Sequence, residues 1–194
     1  MLLFIGTAQA ATIMVWGDSL SAGYGLEADE AWPTLLQTRL DEEGFRHTVV
    51  NASVSGETSA GARSRLPAAL EQHEPDIVIL ELGANDGLRG LPPKLLAENL
   101  DAMISAAQGA GAQVLLVGMQ VPPNYGSAYA AQFQNLFLEV GKATQAGVVP
   151  FLLKGIADTA DSTALFQADR IHPKEAAHPI MLANVWPELK TMLR

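Results

Sequence analysis

The sequence contains no cysteine among its 194 residues. This absence excludes disulfide bonds, a thiolate nucleophile and any metal site built on cysteine. Basic residues are also scarce, since 12 Lys and Arg stand against 21 Asp and Glu and give a formal net charge of −9. A nucleic-acid-binding protein needs a basic face, so we expect no nucleic-acid partner. No apolar run reaches the ~18 residues that a membrane-spanning helix requires, so we also expect no integral membrane segment.

The first ten residues are largely apolar and end in small side chains. Leu2 to Ile5 resemble the apolar region of a secretory signal, and Ala8-Gln9-Ala10 fits an A-x-A cleavage site. No Lys or Arg precedes the apolar part, which is shorter than usual. We interpret residues 1–10 as a partial signal peptide and expect a periplasmic or secreted protein whose mature chain begins near Ala11. If the segment is not a signal, a cytoplasmic protein is expected.

Short apolar runs alternate with amphipathic stretches along residues 11–194. The runs predict strands at residues 12–16, 48–51, 76–82, 113–118 and 148–153, and the stretches predict helices at 31–43, 58–72, 93–108, 127–145 and 175–193. Consecutive apolar positions within a run indicate burial on both faces of a parallel sheet. With right-handed crossovers, this alternation predicts one α/β domain, a flavodoxin-like three-layer α/β/α sandwich around a five-stranded parallel sheet.

A serine and a histidine stand in patterns that fit nucleophilic catalysis. Ser19 follows the first strand at a strand-to-helix turn, and the only Asp-x-x-His of the chain pairs Asp169 with His172. A serine hydroxyl needs an imidazole to take its proton, and a carboxylate on the other ring nitrogen fixes the tautomer. On one turn of helix-like chain, the spacing of three residues lets the carboxylate reach the ring. The alternatives are a serine that only caps a helix and an ordinary surface Asp beside a structural His.

The loops after the next two strands offer donors for an oxyanion. Gly56 has no side chain, so its N–H can closely approach a substrate oxygen, although an ordinary turn glycine would look the same. The Asn85 amide can also donate, but asparagine in such a turn can be structural. We assign Asp86 to that structural role. The third donor is the backbone N–H of Ser19, which is free if this residue opens a helix.

Other readings of the same residues are weaker. His178 has Glu175 three residues before it and is the second candidate for the base. The spacing of His172, Glu175 and His178 does not favour a metal site, because no His-Glu-x-x-His is present, so we expect no metal and no cofactor. The glycine-rich phosphate loop of a nucleotide-binding module is absent after the first strand.

The ordered set Ser19, Gly56, Asn85 and His172, with Asp169, resembles the four sequence blocks of the GDSL family in its SGNH hydrolase branch. The resemblance runs from Ile13 to about Leu189 and is closest to the bacterial multifunctional thioesterase I/lysophospholipase subgroup, which includes arylesterases. It is carried by stretches 50–58, 81–90 and 122–126. Two positions depart from the pattern: Arg170 stands where Gly is common, and His178 where Gln is common.

The resemblance implies an SGNH hydrolase fold and a serine esterase without a cofactor. Its partner would be a small-molecule ester or thioester: aryl or short-to-medium acyl esters, acyl thioesters and lysophospholipids, cleaved through an acyl-enzyme on Ser19. A carbohydrate-specific esterase or an acyltransferase of the same family is the alternative. Residues 85–91 resemble a mobile loop that covers the acyl chain, which makes Leu88, Leu91 and Tyr125 candidates for an apolar acyl groove. Packing of these loop residues on the core is the other interpretation.

Overall fold

A computed structural model of the chain describes residues 10–159 and 161–193. Five parallel strands form its central sheet in the order β2-β1-β3-β4-β5. The strands are β1 (Thr12–Gly17), β2 (Thr48–Asn51), β3 (Ile77–Glu81), β4 (Gln113–Val117) and β5 (Gly147–Val149). This is the flavodoxin-like strand order, and the predicted α/β fold with a five-stranded parallel sheet is confirmed. Apart from Ala10, the predicted signal segment lies outside the described residues.

Helices cover both faces of the sheet. They are α1 (Ser19–Ala22), α2 (Trp32–Glu42), α3 (Ser59–His73), α4 (Ala84–Leu88), α5 (Pro93–Gly109), α6 (Ser127–Thr144) and α7 (His178–Met192). Helices α3, α5 and α6 pack side by side on one face, and α2 packs against α7 on the other. In the described part of the chain, no helix has the length and apolar character that crossing a membrane would require.

The sheet is the core because its strands are apolar at consecutive positions. Every residue of β3 is buried, and β1 is buried from Ile13 onward. Between these two strands the register pairs Val15 with Ile79 and Gly17 with Glu81. The carboxyl ends of β1 and β3 therefore finish side by side, and the residues that follow them begin at the same edge of the sheet.

Two elements near the end of the chain are shorter than predicted because prolines interrupt them. The fifth strand stops at Val149, and beyond Pro150 the chain turns so that the Leu152 N–H reaches the Gly118 carbonyl at 3.0 Å. The last helix begins at His178 rather than Glu175, after a separate 3₁₀ turn, and places Pro179 in its first turn. Proline suits that position because an N–H in the first turn has no hydrogen-bond partner within the helix, so proline loses no bond by lacking one.

Candidate active site

Ser19 lies just beyond the carboxyl end of β1, as the first residue of α1. This helix is only four residues long, and Asp18 caps it by accepting the Leu20 N–H at 3.0 Å. Ser19 is therefore not the capping residue that the alternative interpretation proposed. Within the part of the chain that is described, its backbone N–H has no hydrogen-bond partner. The residue is buried, with 8% of its surface exposed, and its hydroxyl points toward His172.

The structure brings His172 and Asp169 to the same place. The His172 Nε2 lies 2.9 Å from the Ser19 Oγ, and its Nδ1 lies 2.6 Å from the Asp169 Oδ2. The other carboxylate oxygen accepts the N–H groups of Ile171 and His172. The hydrogen bond from His172 is the main reason why the pKa of Asp169 falls to about 2. Asp169 is therefore a carboxylate at neutral pH and accepts from Nδ1, which leaves Nε2 to take the serine proton.

The local geometry that joins Asp169 to His172 differs from the predicted helical turn. The segment is a bend, and Arg170 within it has a left-handed φ of 58°. A bridge between Phe166 and Pro173 closes the loop from both sides. The bend lets one carboxylate reach two backbone N–H groups and the ring together, which is the pattern of an Asx turn.

Gly56 lies in the loop after β2, which is fastened to β1. The Val54 N–H donates to the Gly17 carbonyl at 3.0 Å, and this bond keeps the loop beside the start of α1. Gly56 has a left-handed φ of 78°, and a Cβ there would meet no atom within 4 Å. Glycine thus adopts this backbone conformation without strain and leaves space for a substrate oxygen to approach its N–H. Its N–H, like that of Ser19, has no partner among the residues that the structure describes.

Asn85 lies in α4, directly after β3, and its amide is held by Asp18. The Asn85 Nδ2 donates to the Asp18 Oδ2 at 3.1 Å, across 67 residues of sequence. Asp18 is fully buried, and this burial raises its pKa to about 6. Asp86 has the structural role expected of it: its carboxylate accepts the N–H and the hydroxyl of Ser59 at 2.9 and 2.6 Å.

A second buried carboxyl supports the first turn of α1. Ser21 donates its hydroxyl to the Glu81 Oε2 at 2.6 Å, and burial raises the pKa of Glu81 well above its usual value. Gly17 is needed here for space, because a Cβ on it would lie 2.8 Å from the Glu81 oxygen and 2.9 Å from the Ser21 Cβ. The glycine that precedes Asp18 and Ser19 is therefore explained by close packing against these two side chains.

The second candidate for the base is wrong. His178 is 2% exposed, and its Nδ1 accepts the Trp32 N–H at 3.0 Å at the start of α2. Burial lowers the pKa of His178 to about 4, so the ring is neutral and joins α7 to α2. The described residues contain no group of three or more His, Asp or Glu side chains that could hold a metal ion.

The three residues predicted to form an acyl groove lie at the same rim. Leu88 and Leu91 are each 37% exposed at and just after the end of α4. Tyr125 packs against the core and donates its hydroxyl to the Leu88 carbonyl at 3.0 Å. Tyr129 makes the equivalent bond to the Leu91 carbonyl at 2.8 Å, so two tyrosines hold this loop from the α6 side.

Two contacts at the site were not expected from the sequence. The Tyr24 ring lies against His172 with centroids 4.3 Å apart, and the Gln167 amide bridges the Tyr24 and Pro173 carbonyls. These contacts join the loop after α1 to the histidine loop.

The burial of Asp18 and its bond to Asn85 were also missed, although an acid directly before the serine was visible in the sequence.

The family model of the GDSL-like Lipase/Acylhydrolase family matches residues 15–180. Three curated relatives match over most of both chains. An esterase TesA of Pseudomonas aeruginosa is 47% identical over 100% of this chain and 94% of its own. An arylesterase of Vibrio mimicus is 42% identical over 91% and 87%. A thioesterase 1/protease 1/lysophospholipase L1 of Escherichia coli is 38% identical over 93% and 84%.

Solved structures are also similar to this chain over most of its length. The crystal structure of a TesA superposes with a TM-score of 0.90 at 48% identity, covering 94% of this chain and 99% of that one. The psychrotrophic esterase EstA from Pseudoalteromonas sp., inhibited by monoethylphosphonate, gives a TM-score of 0.88 at 42% identity, covering 94% and 98%. The similarity therefore extends over the sheet edge where the candidate site lies.

Proposed function

We propose that this chain, a serine ester hydrolase that belongs to the GDSL-like Lipase/Acylhydrolase family, works through an acyl-enzyme on Ser19. The observation that supports this most directly is the 2.9 Å contact between the Ser19 Oγ and the His172 Nε2. His172 takes the hydroxyl proton while the oxygen attacks the acyl carbon. The same ring then gives the proton to the departing alcohol or thiol, and water repeats both steps on the acyl-enzyme.

Three N–H donors are proposed to bind the oxyanion of the tetrahedral intermediate. They are the backbone N–H groups of Ser19 and Gly56 and the second Nδ2 hydrogen of Asn85. Both backbone groups are free of partners among the described residues, and Asp18 occupies one side of the Asn85 amide. Donors that are fixed before the reaction need no reorganisation when charge develops, so they stabilise the transition state strongly.

The proposed substrates are carboxylic esters and acyl thioesters with aryl or short-to-medium acyl groups, and lysophospholipids. One relative is named an esterase, a second is named an arylesterase, and the name of a third includes thioesterase and lysophospholipase. Leu88, Leu91 and Tyr125 are proposed to line the acyl groove, because the two leucines end and follow the helix that carries Asn85, and Tyr125 bonds to the Leu88 carbonyl.

The decisive experiment measures hydrolysis of p-nitrophenyl esters by wild type and by Ser19→Ala. We expect turnover to disappear in the variant, and a phosphonate inhibitor to label Ser19 of the wild type in a peptide map. Asp169→Asn should lower kcat by up to ~10⁴, and Asn85→Ala by ~10²–10³. Turnover of Ser19→Ala near that of wild type would remove this residue from the mechanism.

The groove assignment is tested with acyl chains of graded length. We expect Leu88→Ala to raise KM for the octanoyl ester by about 3- to 10-fold and to leave KM for the acetyl ester nearly unchanged, because only the longer chain buries apolar surface there. Leu138→Ala is the matched control, since Leu138 is an exposed leucine of α6. An equal change for both esters would place the acyl chain elsewhere.

Export is proposed from the Ala8-Gln9-Ala10 pattern. The full chain, expressed in a bacterium that carries a signal peptidase, should yield a periplasmic fraction whose N-terminal sequence begins at Ala11. Recovery of the chain only from the cytoplasm with residues 1–10 attached would contradict export.

A further inference from the structure

We propose that Asp18 is a positioning residue that holds the Asn85 amide with its N–H groups directed toward the reacting oxygen. The inference rests on the proposed function, in which Asn85 is an oxyanion donor. Asp18 immediately precedes Ser19, yet no step of the mechanism uses it. Its carboxylate is fully buried, and a buried charge persists only where specific partners hold it.

Both oxygens of the carboxylate are engaged, and each faces a different partner. Oδ1 accepts the Leu20 N–H at 3.0 Å and so caps α1, while Oδ2 accepts the Asn85 Nδ2 at 3.1 Å. The side chain thus connects the helix that carries Ser19 to the helix that carries Asn85. Because the capping bond fixes Oδ1, the oxygen that faces Asn85 cannot exchange with it.

An ionised carboxylate only accepts hydrogen bonds, and this determines which way the Asn85 amide points. The amide carries N–H donors on one end and a carbonyl acceptor on the other. Its nitrogen must face Asp18, because its carbonyl would meet a second acceptor there. With one Nδ2 hydrogen bound, the planar geometry of the amide fixes the direction of the other hydrogen. The carbonyl oxygen of Asn85 is thereby kept away from a developing oxyanion, which it would repel.

Replacing Asp18 by asparagine should invert this arrangement without removing the cap. The new Oδ1 still accepts from Leu20, since asparagine caps helices as well as aspartate does. The new side-chain nitrogen then faces Asn85 and needs an acceptor. The Asn85 amide satisfies it by turning its carbonyl inward toward residue 18, which moves its N–H donors out of their proposed position. One isosteric change at a residue that does not contact substrate therefore removes an oxyanion donor.

The test is a double-mutant cycle of Asp18→Asn and Asn85→Ala, followed by the kcat and KM for a p-nitrophenyl ester. We expect Asp18→Asn to lower kcat by about 10²-fold, as loss of one oxyanion donor does, and to leave KM within about threefold. In the Asn85→Ala background the same change should alter kcat by less than about threefold, because the amide that it misdirects is gone. Asp76→Asn, with the same charge change near the opposite end of the sheet, is the control and should keep wild-type kinetics.

The cycle separates the possible failures. Wild-type turnover in Asn85→Ala would overturn the proposed oxyanion role itself. An impaired Asn85→Ala combined with an unimpaired Asp18→Asn would overturn only the positioning role. An equal loss from Asp18→Asn in both backgrounds would also overturn it, and would indicate that the Asp18 charge acts on His172 instead. If Asp18→Asn does not fold, Asp18→Ser retains the capping oxygen and is measured in the same cycle.

A pH series supplies a readout that a purely structural role would not affect. A protonated Asp18 carries an O–H that can donate to the Asn85 carbonyl, so acid should bring wild type toward the state of Asp18→Asn. His172, Asp86 and Glu81 are the other titratable groups that face Asp18, so the same ratio is measured in the Asn85→Ala background, where a change of equal size would come from these groups and would contradict the proposal. The ratio of wild-type to Asp18→Asn kcat should therefore shrink between pH 7.5 and pH 5, with its midpoint near the Asp18 pKa of about 6. A ratio that is constant across this range would contradict the proposal.

Discussion

Asp18 is stabilising for the site and destabilising for the fold, because its charge is buried beside Ser19. Burial raises its pKa from 3.8 to about 6, so the folded protein binds a proton more tightly there than the unfolded chain. Between these two pH values the contribution of Asp18 to the free energy of unfolding falls as pH rises, and above about pH 6 the full loss remains. Active sites often keep residues that lower the stability of the fold, and Asp18 fits this pattern.

This linkage predicts the pH dependence of stability in Asp18→Asn. The variant cannot ionise, so its free energy of unfolding relative to wild type should increase from pH 4 to pH 7.5, by up to about 3 kcal/mol for a shift of this size. Urea unfolding of both proteins at the two pH values measures the difference. The same difference at pH 4 and pH 7.5 would show that the burial of the Asp18 charge is not what weakens the fold.

Arg170 gives a second prediction at the residue scale. Its left-handed φ of 58° is unfavourable for a residue with a Cβ, by roughly 1–2 kcal/mol, and is neutral for glycine. We expect Arg170→Gly to be more stable than Arg170→Ala by about 1 kcal/mol, which reverses the usual order of these two residues. Thermal unfolding of the pair measures this, and the alanine variant controls for loss of the guanidinium. A more stable alanine variant would mean that the loop relaxes out of the left-handed region.

At the scale of elements, the loop after α4 is held from two directions. Tyr125 and Tyr129 donate to the carbonyls of Leu88 and Leu91 from the α6 side, and the Arg89 guanidinium reaches the Gly56 carbonyl at 3.3 Å. These bonds join the loops after β2 and β3 to each other and to α6. The loop that borders Asn85 is therefore ordered by side chains rather than by the sheet.

We predict that the double variant Tyr125→Phe and Tyr129→Phe loosens this loop without unfolding its neighbours. Each change removes one hydroxyl and keeps the ring, so the aromatic packing along α6 remains. Amide hydrogen exchange should become faster at residues 89–91, whose N–H groups bond back to α4, and stay unchanged in α5. Equal exchange in both proteins would mean that the backbone bonds of α4 suffice to order the loop.

Helices and strands could be predicted where the local pattern of apolar residues matches their burial in the folded protein. Consecutive apolar residues from Ile77 to Leu80 identified β3, because both faces of that strand are buried. The predicted limits of β5 and α7 differ from the structure. Whether Pro150 ends a strand and Pro179 begins a helix depends on tertiary contacts that the local sequence does not contain. The orientation of the Asn85 amide could not be predicted, since its partner is 67 residues away and the contact exists only in the folded sheet.

At the scale of the whole molecule, the net charge of −9 acts on any charged substrate before it reaches the site. A polyanionic thioester such as an acyl-coenzyme A is repelled by this field, whereas a neutral aryl ester is not. The two substrates carry the same acyl group. A difference in how their rates respond to salt therefore reports on the association of substrate with enzyme rather than on the chemical step.

We therefore predict that kcat/KM for an acyl-coenzyme A rises by about 3- to 10-fold between 10 and 200 mM NaCl, because the Debye length shortens from about 30 Å to less than 10 Å. The rate for a neutral p-nitrophenyl ester of the same acyl chain should change by less than about 1.5-fold, since screening acts on charge alone. Potassium fluoride in place of NaCl separates ionic strength from specific chloride binding. A rate for the thioester that falls with salt would contradict the prediction, and would mean that the rim cations Arg89 and Arg170 dominate the field that an approaching polyanion meets.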